Sequence, residues 1–419
     1  HEPLSHAISA ESLRKMSAFS AQSLSNTAWS YAVLALTSHE PLFAATSASA
    51  IAMLCESETQ NLANTVWAWA AMVVLDMPLL TAISEEFLPK IREANVQALH
   101  NTLWALATLA IRDVPLIDAI SSAARRMIAP FRLHDARLCE LFEFVFTLPG
   151  LGWSLVNLSF DRSPLLASAC SKLLQAGREV DSRFQKGQEA WCGGSGPWQR
   201  LRRDHGTEME PTAGLSVPVS AVWPQVTEPV LEAEYRGIAV ILKPRGWEVD
   251  GKGSVPNDCE LLSRFVQARY ARSRHPVVYC AEFDHGFIHR LDIPSSGLIL
   301  TGTSFEGLYW IRWQLNVYSI SREYHVLCQG VVQAGLACID DPIDVRTNKL
   351  GSHRSTTCER GGPALTWVCV ASQVKTPPGG AATAVGIRIR TGRKHQIRTH
   401  LRSSGHASAA DGMYAALAV

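Results

Sequence analysis

Three segments of the chain repeat one pattern at a nearly constant interval. They read SLSNTAWSYA from Ser23, NLANTVWAWA from Asn61 and ALHNTLWALA from Ala98. Their asparagines lie 38 and 37 residues apart, and a Pro-Leu step follows each tryptophan. This period is long enough for two short helices, and the apolar positions have helical spacing. The pattern therefore predicts an α-solenoid, in which each helix pair buries its apolar face against its neighbours.

A fainter copy of the repeat follows, in which Trp153 precedes Pro164 by 11 residues and the Asn-Thr pair has become Gly150 and Leu151. The repeat prolines suit the first turn of the second helix in each pair. We expect the tryptophans to pack between neighbouring repeats, with stacking on RNA bases as the alternative. The Asn-Thr-x-Trp core and the period resemble the octotricopeptide-like helical repeats of organellar RNA-binding proteins.

Charge divides the chain unevenly. Residues 1–228 carry 17 Lys and Arg against 22 Asp and Glu, a net charge of −5, whereas residues 229–419 carry 22 against 16, a net charge of +6. The second half is therefore the expected polyanion binder. For the repeats, either RNA or a protein partner remains open.

Several classes of protein are not indicated by the composition. No uncharged apolar run approaches the ~18 residues of a membrane span, so no membrane association is expected. The 10 cysteines are scattered without a CxxC pair. This pattern indicates neither a zinc site nor a disulfide framework, and no metal site is predicted.

The composition also predicts the domain organisation. A stretch rich in Gly, Pro and Ser without periodicity separates the repeats from the second half. We predict a helical-repeat region over 1–184, a flexible linker over 185–228 and a catalytic domain over 229–419. Because the chain begins with His1, we expect a fragment or a processed form from which any targeting peptide has been lost.

The second half carries a series of short blocks in a fixed order. They read ILKPRGWEV, HRLDIPSSGLIL, SREYHVLCQG, GGPALT, TGRKHQIRTHLRSSGH and ADGMY. Apolar runs and period-two alternation predict strands, and the segment after Lys394 predicts a helix that ends before Gly405. In order and spacing the blocks resemble the RluA-type RNA pseudouridine synthases over about residues 229–414. The HRLD and GRxHQIRxH blocks carry most of this resemblance.

The resemblance implies an α+β catalytic domain with a mixed, mostly antiparallel sheet. It implies isomerisation of a uridine in rRNA or tRNA to pseudouridine, without metal or cofactor. Asp292 would be the carboxylate at C1′, as nucleophile or as the base that starts elimination. Arg398 would be its ion-pair partner and keep it ionised. Tyr324 would stack on the extruded uracil and help to move the C5 proton.

The resemblance also implies a set of RNA-binding residues. Arg290 would enter the base stack in place of the extruded uridine, with a phosphate contact or a surface salt bridge as the alternative. The remaining predicted RNA-binding residues are cations and histidines of the site wall: Lys243, Arg393, Lys394, His289 and His395. For the cations, a solvated surface position is the alternative. A metal role for the histidines is not indicated, since no acidic or thiol ligand lies at fixed spacing beside them.

Two further hypotheses compete with that of an RNA-modifying enzyme. A non-catalytic RNA-binding or assembly protein would retain the synthase fold as a clamp, although it would not need Asp292, Tyr324 and Arg398 together. Glycoside hydrolysis expects two carboxylates, and the HRLD segment supplies one. The family continues beyond the block that ends at Tyr414, so we expect the catalytic domain to be truncated at its C-terminus. The repeats favour a plastid or mitochondrion, with the cytoplasm as the alternative.

Overall fold

The computed structural model describes residues 2–34, 40–186, 227–250, 259–345, 355–359, 361–376, 380–409, 411, 412 and 414. The chain forms two compact units, His1–Val317 and Tyr318–Val419. Most of the predicted linker, residues 187–226, lies outside the described residues, as do residues 415–419. The boundaries predicted from the sequence therefore stay a prediction.

In the described part of the repeat region the first unit forms nine α-helices. They are α1 Glu2–Lys15, α2 Ala21–Val33, α3 Glu40–Ala52, α4 Thr59–Ala71, α5 Met77–Lys90, α6 Val96–Thr108, α7 Val114–Ile128, α8 Leu138–Asn157 and α9 Pro164–Gln185. The Asn-Thr-x-Trp cores lie on α2, α4 and α6, and the following helices begin near the repeat prolines. Helix α2 packs on α4, α4 packs on α6, and α6 packs on α8. The predicted α-solenoid is confirmed.

Two of the repeat tryptophans pack against each other between neighbouring repeats. The ring centroids of Trp67 on α4 and Trp104 on α6 are 5.9 Å apart with an interplanar angle of 30°. Both rings are partly buried against the continuous core of the unit. The prediction that these tryptophans pack between repeats is confirmed for this pair, whereas Trp29 on the first repeat is 46% exposed.

Helix α8 is long and apolar enough to cross a membrane by length and composition. Of its most apolar 18-residue window, 56% is buried within the unit. Its Phe142 ring lies 5.0 Å from the Phe283 ring, and Gly152 lies close against the Trp313 ring. Packing against other parts of the chain therefore accounts for much of its apolar character.

The first unit also contains the beginning of the predicted catalytic half. Its further elements are β1 Val230–Tyr235, β2 Ile238–Lys243, α10 Leu262–Arg269, two 3₁₀ segments at Pro276–Tyr279 and Ala281–Gly286, β3 Gly297–Gly302 and α11 Phe305–Asn316. The three strands form an antiparallel sheet in the order β1-β2-β3. The apolar run in the ILKPRGWEV block lies on β2, whose side chains alternate between partly buried and buried positions.

Helix α9 of the repeats packs directly on α11. The Asp181 carboxylate accepts the backbone N–H groups of Phe305 at 2.8 Å and Glu306 at 3.0 Å, which are free donors at the start of a helix. The Phe184 ring stacks on the Phe305 ring at 5.5 Å. A Cβ on Gly177 would lie 2.5 Å from the Glu306 Cα. The repeats and the beginning of the catalytic half therefore share one core.

The second unit is built on antiparallel strands. Its elements are β4 Arg322–Gln329, β5 Cys338–Ile339, β6 Ile343–Asp344, β7 Thr356–Thr357, β8 Thr366–Thr376, β9 Gly380–Ile389 and α12 Gln396–Ser403. One sheet has the order β4-β9-β8-β5, and β6 pairs with β7. Val385, Ile387 and Leu401 belong to a separate core cluster that this sheet and α12 share. A multidomain chain with an α-solenoid and a mostly antiparallel α+β region is confirmed.

Gly177 tests the contact between α9 and α11. Inside a helix, Gly→Ala normally stabilises by about 1 kcal/mol. Gly177→Ala should instead destabilise the chain by roughly 1 to 3 kcal/mol, because its methyl group meets the backbone of Glu306. Gly335→Ala is the control, since a Cβ there meets nothing within 4 Å. A thermal unfolding midpoint for Gly177→Ala at or above the wild-type value would show that the helices do not pack this closely.

Candidate active site

The HRLD segment leads into a tight turn directly before β3. The carbonyl of Asp292 accepts the N–H of Ser295 at 2.9 Å, and the carbonyl of Ile293 accepts the N–H of Gly246 at 2.7 Å. Gly297 begins β3 with a φ of +148°, a conformation that favours glycine. Two backbone hydrogen bonds thus fix the turn that carries the half-buried Asp292 side chain.

A buried ammonium group lies under this turn. Lys243, the last residue of β2, has no exposed surface. Its Nζ donates to the carbonyl oxygens of Ser295 at 2.7 Å, Trp247 at 2.8 Å, Pro244 at 2.9 Å and Ile293 at 3.5 Å. Burial lowers the pKa of the Lys243 ammonium to about 8, and the nearby Glu248, Cys259 and Asp292 side chains partly oppose this shift.

This position corrects the phosphate-binding role predicted for Lys243. An ammonium without exposed surface does not reach a phosphate in solvent, and its donors are directed at backbone carbonyls. The residue instead joins the KPRG segment at the end of β2 to the turn that carries Asp292. Lys243 is therefore a positioning residue.

His289 also contacts the backbone next to the turn. Its Nε2 accepts the N–H of Leu300 on β3 at 3.1 Å, so the ring carries its proton on Nδ1 when it is neutral. The ring is half-buried. This hydrogen bond fixes the HRLD segment to the strand that follows it, and the predicted contact with RNA stays a prediction.

Arg290 presents its guanidinium at the surface while acidic groups hold it in place. Its side chain is 53% exposed, and Nη2 donates to the Glu248 carboxylate at 2.6 Å. Asp250 lies 3.8 Å from Nη1. Glu248 is buried, so the pair limits the positions that the guanidinium can take. The sequence interpretation missed Glu248, although it lies in the ILKPRGWEV block.

In the second unit, Tyr324 lies on β4 opposite Ile387 of β9. Its ring packs against the core of that unit, and burial raises the pKa of the phenol above its usual value of 10. A phenol with a raised pKa is neutral at pH 7. This protonation state suits an aromatic platform better than a strong base.

Arg398 lies in the first turn of α12 and makes a two-point ion pair. Its Nε and Nη2 donate to the Asp411 carboxylate at 2.7 and 2.6 Å, and the Tyr414 ring lies 4.8 Å from the guanidinium carbon. Two parallel hydrogen bonds fix the plane of the guanidinium. Asp411 was not predicted as a site residue, although the ADGMY block contains it.

The other predicted cations of this unit surround the beginning of α12. Arg393 and Lys394 are exposed, as phosphate contacts require. His395 has a φ of +53°, and its Nδ1 lies 3.0 Å from the Tyr414 hydroxyl oxygen. His400 is fully buried between Thr366 and the Asp341 carbonyl.

The predicted site residues thus divide between the two units. Lys243, His289, Arg290 and Asp292 belong to the first, whereas Tyr324 and Arg398, with the cations next to α12, belong to the second. The predicted ion pair of Asp292 with Arg398 stays a prediction. In the part of the chain that the structure describes, no cluster of three His, Cys, Asp or Glu side chains is arranged to hold a metal ion.

Comparison with known proteins shows a similarity to one family over part of the chain. Residues 237–403 match the family model described as RNA pseudouridylate synthase. This match lies within the C-terminal half of the chain. Its matched region includes Lys243, Asp292, Tyr324 and Arg398, whereas Asp411 lies beyond the match.

Three relatives illustrate the similarity. Ribosomal large subunit pseudouridine synthase D of Nitrosomonas europaea is 31% identical over 129 residues, which are 31% of this chain and 35% of that protein. tRNA pseudouridine synthase C of Yersinia pestis is 25% identical over 40% of this chain and 63% of its own length. RNA pseudouridine synthase 2, chloroplastic, of Arabidopsis thaliana is 29% identical over 33% of each chain. The chain therefore spans about a third of the length of two of these relatives and under two thirds of the other.

Lys243→Met tests whether the buried ammonium holds the Asp292 turn. Methionine fills a similar volume but leaves the carbonyls without their donor, at a cost of roughly 3 kcal/mol or more. The unfolding midpoint should fall, and the amide of Ser295 should exchange faster with solvent. Arg245→Met removes an exposed cation two residues away and should change neither. If Lys243→Met leaves both quantities at their wild-type values, Lys243 does not hold the turn.

Proposed function

We propose that the chain is an RNA pseudouridine synthase, which isomerises a uridine in rRNA or tRNA to pseudouridine. The observation that carries the proposal is the family match over residues 237–403, which contains Asp292, Tyr324 and Arg398 together. A non-catalytic RNA clamp would need none of these three side chains, so this alternative is not favoured.

The reaction conserves all atoms of the nucleotide. The N1–C1′ bond breaks, the uracil turns, and C5 forms the new bond to C1′. The C5 proton leaves and N1 gains a proton. We assign the carboxylate that acts at the ribose to Asp292, either as a nucleophile at C1′ or as the base that starts elimination. No metal or cofactor is required for either route.

The remaining roles follow from the chemistry of the side chains. We assign Arg398 to the carboxylate of Asp292, and Asp411 to fixing the plane of the Arg398 guanidinium from its other side. Tyr324 provides a neutral aromatic face for the extruded uracil. Arg393 and Lys394 are exposed and suit phosphate contacts.

The substrate, location and domain organisation belong to the same proposal. Two relatives are named for ribosomal and transfer RNA, which supports one of these RNAs as substrate. A plastid or mitochondrial location is supported by the relative named as chloroplastic and by the helical repeats. We propose that the repeats, 1–184, aid the binding of RNA or of a protein partner, and that 185–228 links them to the catalytic domain, 229–419.

Asp292→Asn tests the catalytic carboxylate. Asparagine has the same shape but neither attacks C1′ nor accepts a proton as a carboxylate does. The rate of tritium release from RNA labelled at C5 of uridine should fall by roughly a thousandfold or more. RNA affinity should stay within about threefold, because phosphate contacts dominate binding.

Glu282→Gln is the matched control, because it neutralises an exposed carboxylate ten residues earlier in the chain. It should leave both tritium release and RNA affinity unchanged. Residual turnover of Asp292→Asn within tenfold of wild type would exclude the assigned role. EDTA should not slow the wild-type reaction, and inhibition that added zinc reverses would contradict a reaction without metal.

Arg290→Ala tests whether this guanidinium replaces the extruded base. Opening the stack costs a few kcal/mol, so the variant should lose most activity on paired RNA. A substrate with a mismatch at the target uridine has already lost part of its stacking and should restore much of the rate. Glu248→Gln should show a weaker form of the same pattern, because Glu248 holds Arg290.

Arg393→Ala serves as the comparison for a simple phosphate contact. It should weaken binding to all RNA substrates alike and reduce the salt dependence by about one charge. If Arg290→Ala behaves in the same way on paired and mismatched RNA, Arg290 contacts phosphate and does not enter the stack.

A further inference from the structure

A ladder of hydrogen bonds joins the second helices of neighbouring repeats. The Ser47 hydroxyl on α3 donates to the Asp76 carboxylate at 2.5 Å, and the Ser84 hydroxyl on α5 donates to the Asp113 carboxylate. These serines are 37 residues apart, and Ser121 on α7 follows after another 37. The ladder therefore predicts a carboxylate partner for Ser121 at the beginning of α9.

Each aspartate of the ladder also caps a helix. Asp76 accepts the N–H of Leu79 at 3.2 Å, and Asp113 accepts the N–H of Leu116 at 3.1 Å. Both aspartates stand two residues before the repeat proline. One carboxylate thus neutralises a helix N-terminus and binds the serine of the preceding repeat.

The ladder is broken at its last step. Two residues before Pro164 stands Arg162 instead of aspartate. Ser163 takes over the cap of α9 and accepts the N–H of Leu165 at a long 3.4 Å. The Ser121 side chain is buried, with the residue 7% exposed, and its hydroxyl has no hydrogen-bond partner among the residues that the structure describes. A buried hydroxyl without an acceptor is costly, so a ligand or an ordered water that supplies one would be stabilised at this position.

A cavity of about 510 Å³ lies at this position. Its lining includes Ser121, Arg125, Phe160 and Arg162, together with Asp118 and Asp161. Its volume falls within the ~300 to 1,000 Å³ that small-molecule sites typically have. All of these residues lie in the first compact unit.

Two cations appear where the carboxylate has been lost. Arg162 replaces the ladder aspartate, and Arg125 stands where the two preceding repeats have Leu88 and Ile51. Both arginines are exposed, and the described residues provide neither with an ion pair. With the N-terminus of the 22-residue helix α9 they suit an oxyanion, to which Ser121 can donate.

The other side chains that line the cavity favour a nucleotide over a free phosphate ion. Asp118 and Asp161 are exposed and would repel a free phosphate, but carboxylates accept hydrogen bonds from ribose hydroxyls. Phe160 is partly buried and provides an aromatic side chain against which a base can pack. We propose that this cavity binds one ribonucleotide, with its phosphate in the place of the missing aspartate. None of these residues lies in the matched region 237–403, so the site does not depend on the proposed activity.

Calorimetric titration of the full chain with UMP, inorganic phosphate and a short oligoribonucleotide tests the site. Arg125→Ala and Arg162→Ala should each weaken binding of UMP or the oligonucleotide by roughly tenfold to a hundredfold. Arg112→Ala, which removes an exposed arginine of the preceding repeat, should not. Inorganic phosphate should bind more weakly than UMP.

The titration also separates the two sources of the nucleotide. A free nucleotide is the ligand if UMP binds as tightly as the oligonucleotide, and an RNA strand is the ligand if only the oligonucleotide binds well. Arg162→Asp restores the ladder and should raise the unfolding midpoint while it abolishes the Arg125-dependent binding. The proposal is wrong if Arg125→Ala and Arg162→Ala bind both ligands as wild type does. Phosphate that binds as tightly as UMP would overturn the ribose and base contacts.

Discussion

The Lys243 ammonium has no exposed surface and donates to backbone carbonyls of the segment after β2 and of the turn after Asp292. A buried cation is tolerated only where such acceptors compensate for the water it has lost. The carbonyls also depend on the ammonium, because those at the end of β2 and in the turn after Asp292 need it as their shared hydrogen-bond donor. One side chain thus makes the position of the Asp292 turn depend on the end of the preceding strand.

The sequence predicted the features that depend on local pattern. The repeat period predicted the solenoid because each helix pair uses the same apolar spacing, and Trp67 and Trp104 pack as expected. An apolar run predicted β2, and period-two alternation predicted β4. The predicted phosphate contact of Lys243 was wrong, since the sequence shows a cation at the end of a strand but not whether its ammonium faces solvent or backbone carbonyls. Glu248 and Asp411 were missed because ion-pair partners distant in sequence have no periodic signal.

The packing of α9 on α11 joins the repeats to the beginning of the catalytic half. A composition shift after residue 184 indicates a flexible linker, and such a linker allows the repeats to act as a separate module. In the structure, Asp181 caps α11 and Phe184 stacks on Phe305. Gly177 permits this approach, which no pattern within either segment predicts. The repeats therefore stabilise the beginning of the catalytic half.

In the proposed reaction, the chemical step at Asp292 depends on Arg398. The most direct measurement is the single-turnover rate of Arg398→Ala at saturating RNA, with and without guanidinium ion in the buffer. We predict a rate lower by roughly a hundredfold, partly restored by added guanidinium. A wild-type rate at saturating RNA, with only the affinity reduced, would contradict this role, because Arg398 would then bind RNA without acting on the reaction.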